Sequence, residues 1–516
     1  MAAPLNQAPP YDLIDPHQAI LVIHGIGEQN PYETLDSFAR GLLTHFRKHG
    51  ANAKLCPIEI AHEDWTQVGM RIGFFPDRDL PPCPTKDKRA DPANEPSAYV
   101  DVFEYYWAPE TEDKLSAATT LKWLLKTDFT PLHYFADNLQ EMIYGQQLGP
   151  VRAAGRSLKL YLRELLRILV LYLPLAAGVG FLLGWLSKQY PWGAALKNLA
   201  AALWRYATWT HALILVFYLL CALAIWFALQ ALPELRTSPD KGIETAGEKV
   251  WFAVDVFLIL VFFAVGFAID RYTQSHALWH LKNIVVQNLA LLLGAFIAWF
   301  FSYALTAYVA DVAVYTNMDA KSKDYQARNA ILGGSTTALK QILASPKYAR
   351  VILAGHSLGS VIAYDTINEL LAERNADPEA GDDHPTPPLE PAHLLKLKGL
   401  ATFGSPLDKI YYFFREHVKR DQAVRAQILS MLHSFRKKPS GRDYGEFQFN
   451  YSFGQLDGAH GLVWINAWAR MDLVSGKLKF YTPNHQQQFH YRVPVLAHLS
   501  YWSDPDFYEY FRTRLL

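Results

Sequence analysis

At 516 residues the chain has room for two or three domains, each with its own core. Lys and Arg together number 49, as do Asp and Glu, so the formal charge is zero and nothing steers the protein toward nucleic acid. Three cysteines, Cys56, Cys83 and Cys221, are too few and too scattered for a disulfide framework or a zinc site, which fits a reducing compartment.

The first residues, Met1 to Gln18, are polar and carry no apolar run, so a cleaved secretory signal is not expected. Ala19-Ile20-Leu21-Val22-Ile23 then reads as a buried strand that runs into His24-Gly25-Ile26-Gly27. Glycines there let the backbone turn so that an amide N–H, that of Ile26, can face a carbonyl oxygen; the plain alternative is a glycine-rich strand-to-helix loop. A helix over Thr34–His45, a strand near Ile58 and a strong strand over Tyr99–Tyr106 follow, with a loop of prolines and charges across 75–98. Alternation of strands and helices predicts an α/β sheet for residues 1–150. The stretch Asp113–Leu148 reads as a helix lying along the membrane surface, with an ordinary amphipathic core helix as the alternative, and leads to a basic segment, Arg152–Arg167.

Residues 151–315 hold four apolar runs of bilayer length: 168–186, 209–231, 251–269 and 285–308. Trp185, Trp192, Trp204, Trp209, Trp251, Tyr272 and Tyr308 stand at or near their ends, as an interfacial aromatic belt does. Four crossings return the chain to its starting side, so strands before and after them can share one sheet. On that side lie Arg152, Arg156, Lys159, Arg163, Arg167, Arg236, Lys241, Lys249, Lys321, Lys323 and Arg328. The other side has fewer than half as many, Lys188, Lys197, Arg205, Arg271 and Lys282, which predicts a cytoplasmic face for both termini. Asp255, inside the third run, reads as an inward-facing aspartate bonded to a neighbouring span, with a proton or ion site as the alternative.

The segment 316–516 opens with a helix over Tyr325–Leu343 and a short apolar strand, Arg350–Ala354. That strand feeds Gly355-His356-Ser357-Leu358-Gly359, after which a helical pattern begins. A G-x-S-x-G turn between strand and helix is the setting of a nucleophile elbow, whose flanking glycines avoid collisions that a Cβ would cause. Ser357 is therefore the candidate nucleophile, and the Leu358 amide, at the positive end of a helix, the second oxyanion donor beside Ile26. Residues 375–392 read as a loop, and Leu400–Leu407 as the next core strand and turn.

A serine nucleophile needs a histidine to take its proton and a carboxylate to hold that histidine's tautomer. In this strand–turn–helix setting they follow the serine in the order acid, then base. Val463–Trp468 is a strand pattern and Asp472 lies just past its end, the place for the acid, with Asp408 after Gly404-Ser405-Pro406 as its rival. For the base, His498 comes last in order, with His460, His485 and His490 as alternatives.

His24-Gly25-Ile26-Gly27, the run from Gly355 to Asp365, Phe403-Gly404-Ser405-Pro406-Leu407 and the His-x-x-Tyr-Trp ending at Trp502 resemble the lipase-like α/β-hydrolases, DDHD-domain phospholipases included. The resemblance spans 19–110 and 320–516. It implies an α/β-hydrolase fold, a mostly parallel sheet flanked by helices, here carrying an inserted bundle of four transmembrane helices. It also implies Ser357, Asp472 and His498 as nucleophile, acid and base, Ile26 and Leu358 as oxyanion donors, and no metal or organic cofactor. The expected activity is hydrolysis of acyl esters of phospholipid or lysophospholipid at a bilayer. A thioesterase or acyltransferase of the same fold, and a catalytically inactive membrane scaffold that binds lipid or protein, are the alternatives.

Overall fold

The computed structural model describes residues 13–26, 30–62, 65–75, 80–83, 95–111, 117–134, most of 151–166, 310–316, 323–375, 390–414, 461–492 and 494–516, with 422 and 425. The four apolar runs, Asp255 and His460 lie outside the described residues, as do 135–150 and 376–389 of the expected helix and loop. Among the described residues no helix is long and apolar enough to cross a membrane. The chain divides into two units, Met1–Val170 with Ser302–Leu516, and Leu171–Phe301, and every described element belongs to the first.

Eight strands form one sheet in the order β2-β3-β4-β1-β5-β6-β7-β8. They are β1 (His17–Ile23), β2 (Ala53–His62), β3 (Trp65–Phe74), β4 (Ala98–Tyr105), β5 (Arg350–His356), β6 (Leu397–Phe403), β7 (Val463–Ala469) and β8 (His485–Phe489). Pairing is parallel from β4 through β1 and β5 to β8, and antiparallel only at the β2-β3-β4 flank. The fold is thus α/β with a mostly parallel sheet.

Central parallel strands are covered on both faces, which is why β1 and β5 are unbroken apolar runs rather than alternating ones. Ala19, Leu21 and Ile23 of β1 face one core, shared with Leu339 of α4 (Lys323–Ala344) and Val361 and Ile362 of α5 (Leu358–Asn375). Ile20 and Val22 face the other, filled by Phe38, Leu42 and Phe46 of α1 (Glu33–Lys48) and Phe507 and Phe511 of α6 (Pro505–Leu515). Between these come α2 (Ala117–His133) and α3 (Ala310–Thr316).

The chain places β1 at the centre, fills the β2–β4 side first, then crosses to β5 and the opposite side. Ile23 consequently pairs with Gly355, though the segments are far apart in sequence. In open α/β sheets the crevice beyond the carboxyl ends of the strands, at such a reversal of strand order, is where ligands bind.

One expectation is corrected here: Cys56 and Cys83 form a disulfide, with Cα atoms 5.5 Å apart. Their separation of 27 residues looked like scatter, but the segment after β3 returns beside the edge strand β2, where Lys54 Nζ also donates to the Pro81 carbonyl at 2.6 Å.

Candidate active site

Strand β5 ends at His356 and α5 begins at Leu358, so Ser357 is the whole of the turn between them. Its φ of 53° lies in the left-handed region, one of two such non-glycine residues described and a costly conformation for serine. The glycines on either side are demanded by space. A Cβ on Gly355 would stand 2.4 Å from the Gly359 carbonyl oxygen, and one on Gly359 would stand 2.3 Å from the carbonyl oxygens of both Ile23 and His24. The turn is locked by a Ser357 N–H to Phe403 carbonyl bond of 3.1 Å, and by the Ser360 hydroxyl, 2.6 Å from the Ser357 carbonyl oxygen. Ser405, from the Gly-Ser-Pro stretch, lies 2.7 Å from that same hydroxyl, so the motif braces the elbow from the next strand.

Opposite the elbow the end of β1 is held by His24. Its Nδ1 donates to the Gly25 carbonyl at 2.8 Å, and its Nε2 accepts the Trp107 backbone N–H at 3.1 Å. The Trp107 indole lies parallel to the imidazole at 4.8 Å and donates to the His24 carbonyl at 3.0 Å. Burial lowers the pKa of His24 to about 4, so the ring is neutral with both nitrogens engaged: a clamp on the loop, with no lone pair left for proton transfer. A Cβ on Gly25 would reach 2.7 Å from the Ser357 Cβ, so the absent side chain is what lets this loop close on the serine. Ile26 is half-buried beside the core, and Leu358 is buried in the first turn of α5, where backbone N–H groups have no intrahelical acceptor.

Asp472 lies three residues beyond β7, and His498 directly follows the short helix Pro494–Ala497. His498 Nδ1 stands 3.0 Å from each Asp472 oxygen. The carboxylate also accepts the backbone N–H groups of Val474 at 2.8 Å and Ser475 at 3.1 Å, and the Tyr501 hydroxyl at 3.1 Å. Burial by itself raises its pKa, but His498, Lys409 and the Ser475 amide outweigh that and hold the carboxyl below its ordinary value. Burial, then the Asp472 charge, pushes the Tyr501 phenol well above 10, so it stays a donor.

His356, the variable residue inside the elbow, ties the two parts together. Its Nε2 donates to the His498 carbonyl at 2.8 Å, and its ring lies 4.6 Å from the His498 ring. Burial first, then His498, lowers its pKa to about 3. Gly404, at φ 61°, admits both rings: a Cβ there would meet His356 Nε2 at 3.0 Å and His498 Cε1 at 3.1 Å. Two buried polar atoms have no hydrogen-bond partner in this arrangement, Ser357 Oγ and His498 Nε2. Because Nδ1 donates to Asp472, that Nε2 carries the lone pair.

Comparison with protein-family models, curated proteins and solved structures finds no match for this chain. The site therefore speaks through its geometry alone. Asp408, the rival acid, accepts the backbone N–H groups of Lys479 at 2.7 Å and Phe480 at 3.1 Å, and it is Asp472 that meets His498. His485 sits within β8, paired beside Ile465, and His490 is exposed just past it. Tyr501, Ser475, Trp107, Ser360 and His356 all support the site, and of these His356, Ser360 and Tyr501 stood in recognisable motifs.

Proposed function

We propose that this chain is a membrane-embedded serine hydrolase of the α/β-hydrolase fold that cleaves acyl esters, with phospholipid or lysophospholipid as substrate. The observation that carries the reading is a strained Ser357 whose buried Oγ has no hydrogen-bond partner, together with a His498 whose Nδ1 is committed to a buried carboxylate and whose Nε2 is free. His498 accepts the Ser357 proton as Oγ attacks the ester carbonyl, and amides of Ile26 and Leu358 receive the oxyanion. The tetrahedral species collapses, the alcohol leaves with the proton from His498, and water, deprotonated by the same nitrogen, releases the acid and restores Ser357. Asp472 holds the tautomer and stabilises the imidazolium without itself gaining a proton.

A lipid substrate is supported by Leu496 and Leu499, each 57% exposed and flanking His498 in the chain, which put exposed apolar surface next to the proposed base. Val151, Leu158 and Leu162 are also exposed, among the basic residues Arg152, Arg156 and Lys159, as on a helix lying at a charged bilayer surface. The four apolar runs between them and α3 serve as the anchor, keeping the site at high local lipid concentration. Basic residues around those runs favour a cytoplasmic face for the hydrolase parts, whereas the Cys56–Cys83 disulfide favours an oxidising one.

One experiment addresses chemistry and orientation together. A membrane-impermeant fluorophosphonate is expected to label Ser357 in permeabilised cells and not in intact ones, and Ser357→Ala is expected to abolish both labelling and ester turnover, by about 10⁴-fold or more. Turnover by Ser357→Ala at the parent rate sinks the hydrolase reading. Labelling of intact cells reverses the orientation and leaves the chemistry standing.

A further inference from the structure

We propose a second site, unconnected with the ester chemistry: His45, His49 and Glu509 form a binding site for one divalent transition-metal ion of the zinc class, fastening α1 to α6. His45 lies in the last turn of α1, and His49 is the residue that caps the end of that helix, four positions on. Their rings lie 4.3 Å apart, and Glu509 approaches from α6. One ring nitrogen from each histidine and one Glu509 carboxylate oxygen all fall within 4.8 Å of one another. Two imidazoles and a carboxylate on a borderline metal, with the fourth position left to water, make a familiar three-ligand set for zinc.

Two independent details point to a ligand at this place. The His45 side chain is only 1% exposed, and neither of its ring nitrogens makes a hydrogen bond, although Nε2 lies 2.9 Å from Glu509 Oε2. The contact is close in distance without the direction of a hydrogen bond. A buried imidazole left in that state is costly unless its lone pair finds an acceptor such as a metal. Two ligand atoms on a tetrahedral zinc stand roughly 3.3 Å apart, so the pair needs to open by only a few tenths of an ångström. The second detail is at His49, whose Nδ1 lies 3.0 Å from the His45 carbonyl oxygen. Donating that proton fixes the tautomer that leaves Nε2 with its lone pair, the usual outer-shell arrangement of a metal-bound histidine.

A competitor is already present. Arg512 donates through Nε and Nη2 to both Glu509 oxygens at 3.1–3.3 Å, so metal entry requires the carboxylate to be shared or surrendered. That competition gives the site a signature that a simple charge cluster lacks. The site is also remote from Ser357: α1 starts just after the oxyanion loop, and His45 lies twelve residues further on, about 18 Å along the helix. A metal here staples the first helix to the last and is expected to stabilise the fold without entering the reaction.

The test uses the full-length protein, purified without a polyhistidine tag and stripped with chelator, then titrated with Zn²⁺ alone while bound metal per chain and Tm are measured. The parent is expected to take up one equivalent with a rise in Tm. His49→Gln, at an exposed position where folding is not at risk, and Glu509→Gln are each expected to weaken binding about tenfold or more. Arg512→Gln is expected to tighten it by freeing the carboxylate. Fluorophosphonate labelling of Ser357 remains at the parent level in all three, so failure of this proposal is distinguishable from failure of the hydrolase reading. Zinc uptake that is unaffected by both His49→Gln and Glu509→Gln, or no uptake by either the parent or Arg512→Gln, overturns it.

Discussion

The two sides of the candidate site are built by different means. The elbow and the loop facing it, residues 23–26 and 355–360, are fixed by backbone and by missing side chains: Gly25 and Gly359 stand where a Cβ would collide with the opposite segment, and Gly355 where one would collide with the start of α5. The acid–base side, residues 472–475 and 496–502, is fixed by side-chain hydrogen bonds converging on one buried carboxylate from two loops. Steric locking of the first kind tolerates almost no substitution but leaves a short, local signature. A hydrogen-bonded hub of the second kind can be dismantled one donor at a time, so its parts can be ranked by experiment.

The largest separation is expected between the two aspartates. Asp472→Asn keeps the shape of the hub but can present an amide N–H to His498 Nδ1, favouring the tautomer with the proton on Nε2, where the lone pair is needed. A fall of about 10⁴-fold in kcat follows. Asp408→Asn loses part of a loop anchor on the Lys479 and Phe480 amides and is expected to cost about 1–2 kcal/mol of stability with kcat within a few-fold of the parent. Steady-state ester kinetics and thermal melts on the two variants measure this, and similar kcat losses in both would show that the hub is not centred on Asp472.

A smaller effect is expected from Tyr501→Phe. It removes one donor from Asp472 while the Val474 and Ser475 amides and His498 remain. Loss of one hydrogen bond to a charged group predicts roughly a tenfold drop in kcat with KM unchanged. Combined with Asp472→Asn, the loss should add nothing further, because both act through the same imidazole. An additive double variant would mean that Tyr501 contributes to packing rather than to the orientation of the acid.

These two modes of construction also explain what was legible in the sequence. Strands β1 and β5 are buried on both faces and announce themselves as apolar runs, and the elbow between strand and helix follows from five residues. Asp472 and His498 were legible from chain order and from their position after a strand, while the choice over Asp408 needed the third dimension. Strand β3 alternates as a half-buried strand does, Val68, Met70, Ile72 and Phe74 against Gln67, Gly69, Arg71 and Gly73, but its two glycines weaken the signal, and β8 escaped because His-Gln-Gln-Gln-Phe at a sheet edge has little to bury. The role of Trp107 was invisible for another reason: its partner His24 lies in β1's loop, 83 residues away, and no local pattern records that contact. Cys56 and Cys83 failed in the same way, joined by the return of a loop along an edge strand.

The smallest expected effect leaves catalysis alone and reports how firmly the loop after β1 is anchored. Glu104 of β4 is buried, and its Oε2 accepts the Leu35 backbone N–H at 3.2 Å, bracing the first turn of α1, while its Oε1 has no partner. Burial, against the opposing Leu35 and Tyr32 amides, raises its pKa to about 7. Below the ordinary carboxyl value near 4.5 both folded and unfolded chains hold the proton, and the group contributes no pH dependence. As pH rises from 4.5 to 7 the unfolded chain ionises first, so the folded state binds more protons and stability falls; above 7 both are ionised and the loss is complete. Glu104→Gln imitates the neutral acid and escapes this loss, so it should gain on the parent by about 3 kcal/mol between pH 4.5 and pH 8, at unchanged kcat. Melting curves of the two proteins at pH 5 and pH 8 read this directly. A difference in Tm that stays the same at both values would mean that Glu104 is ionised throughout, its charge held by the α1 amides, and that the anchor of the loop is electrostatic rather than a buried neutral hydrogen bond.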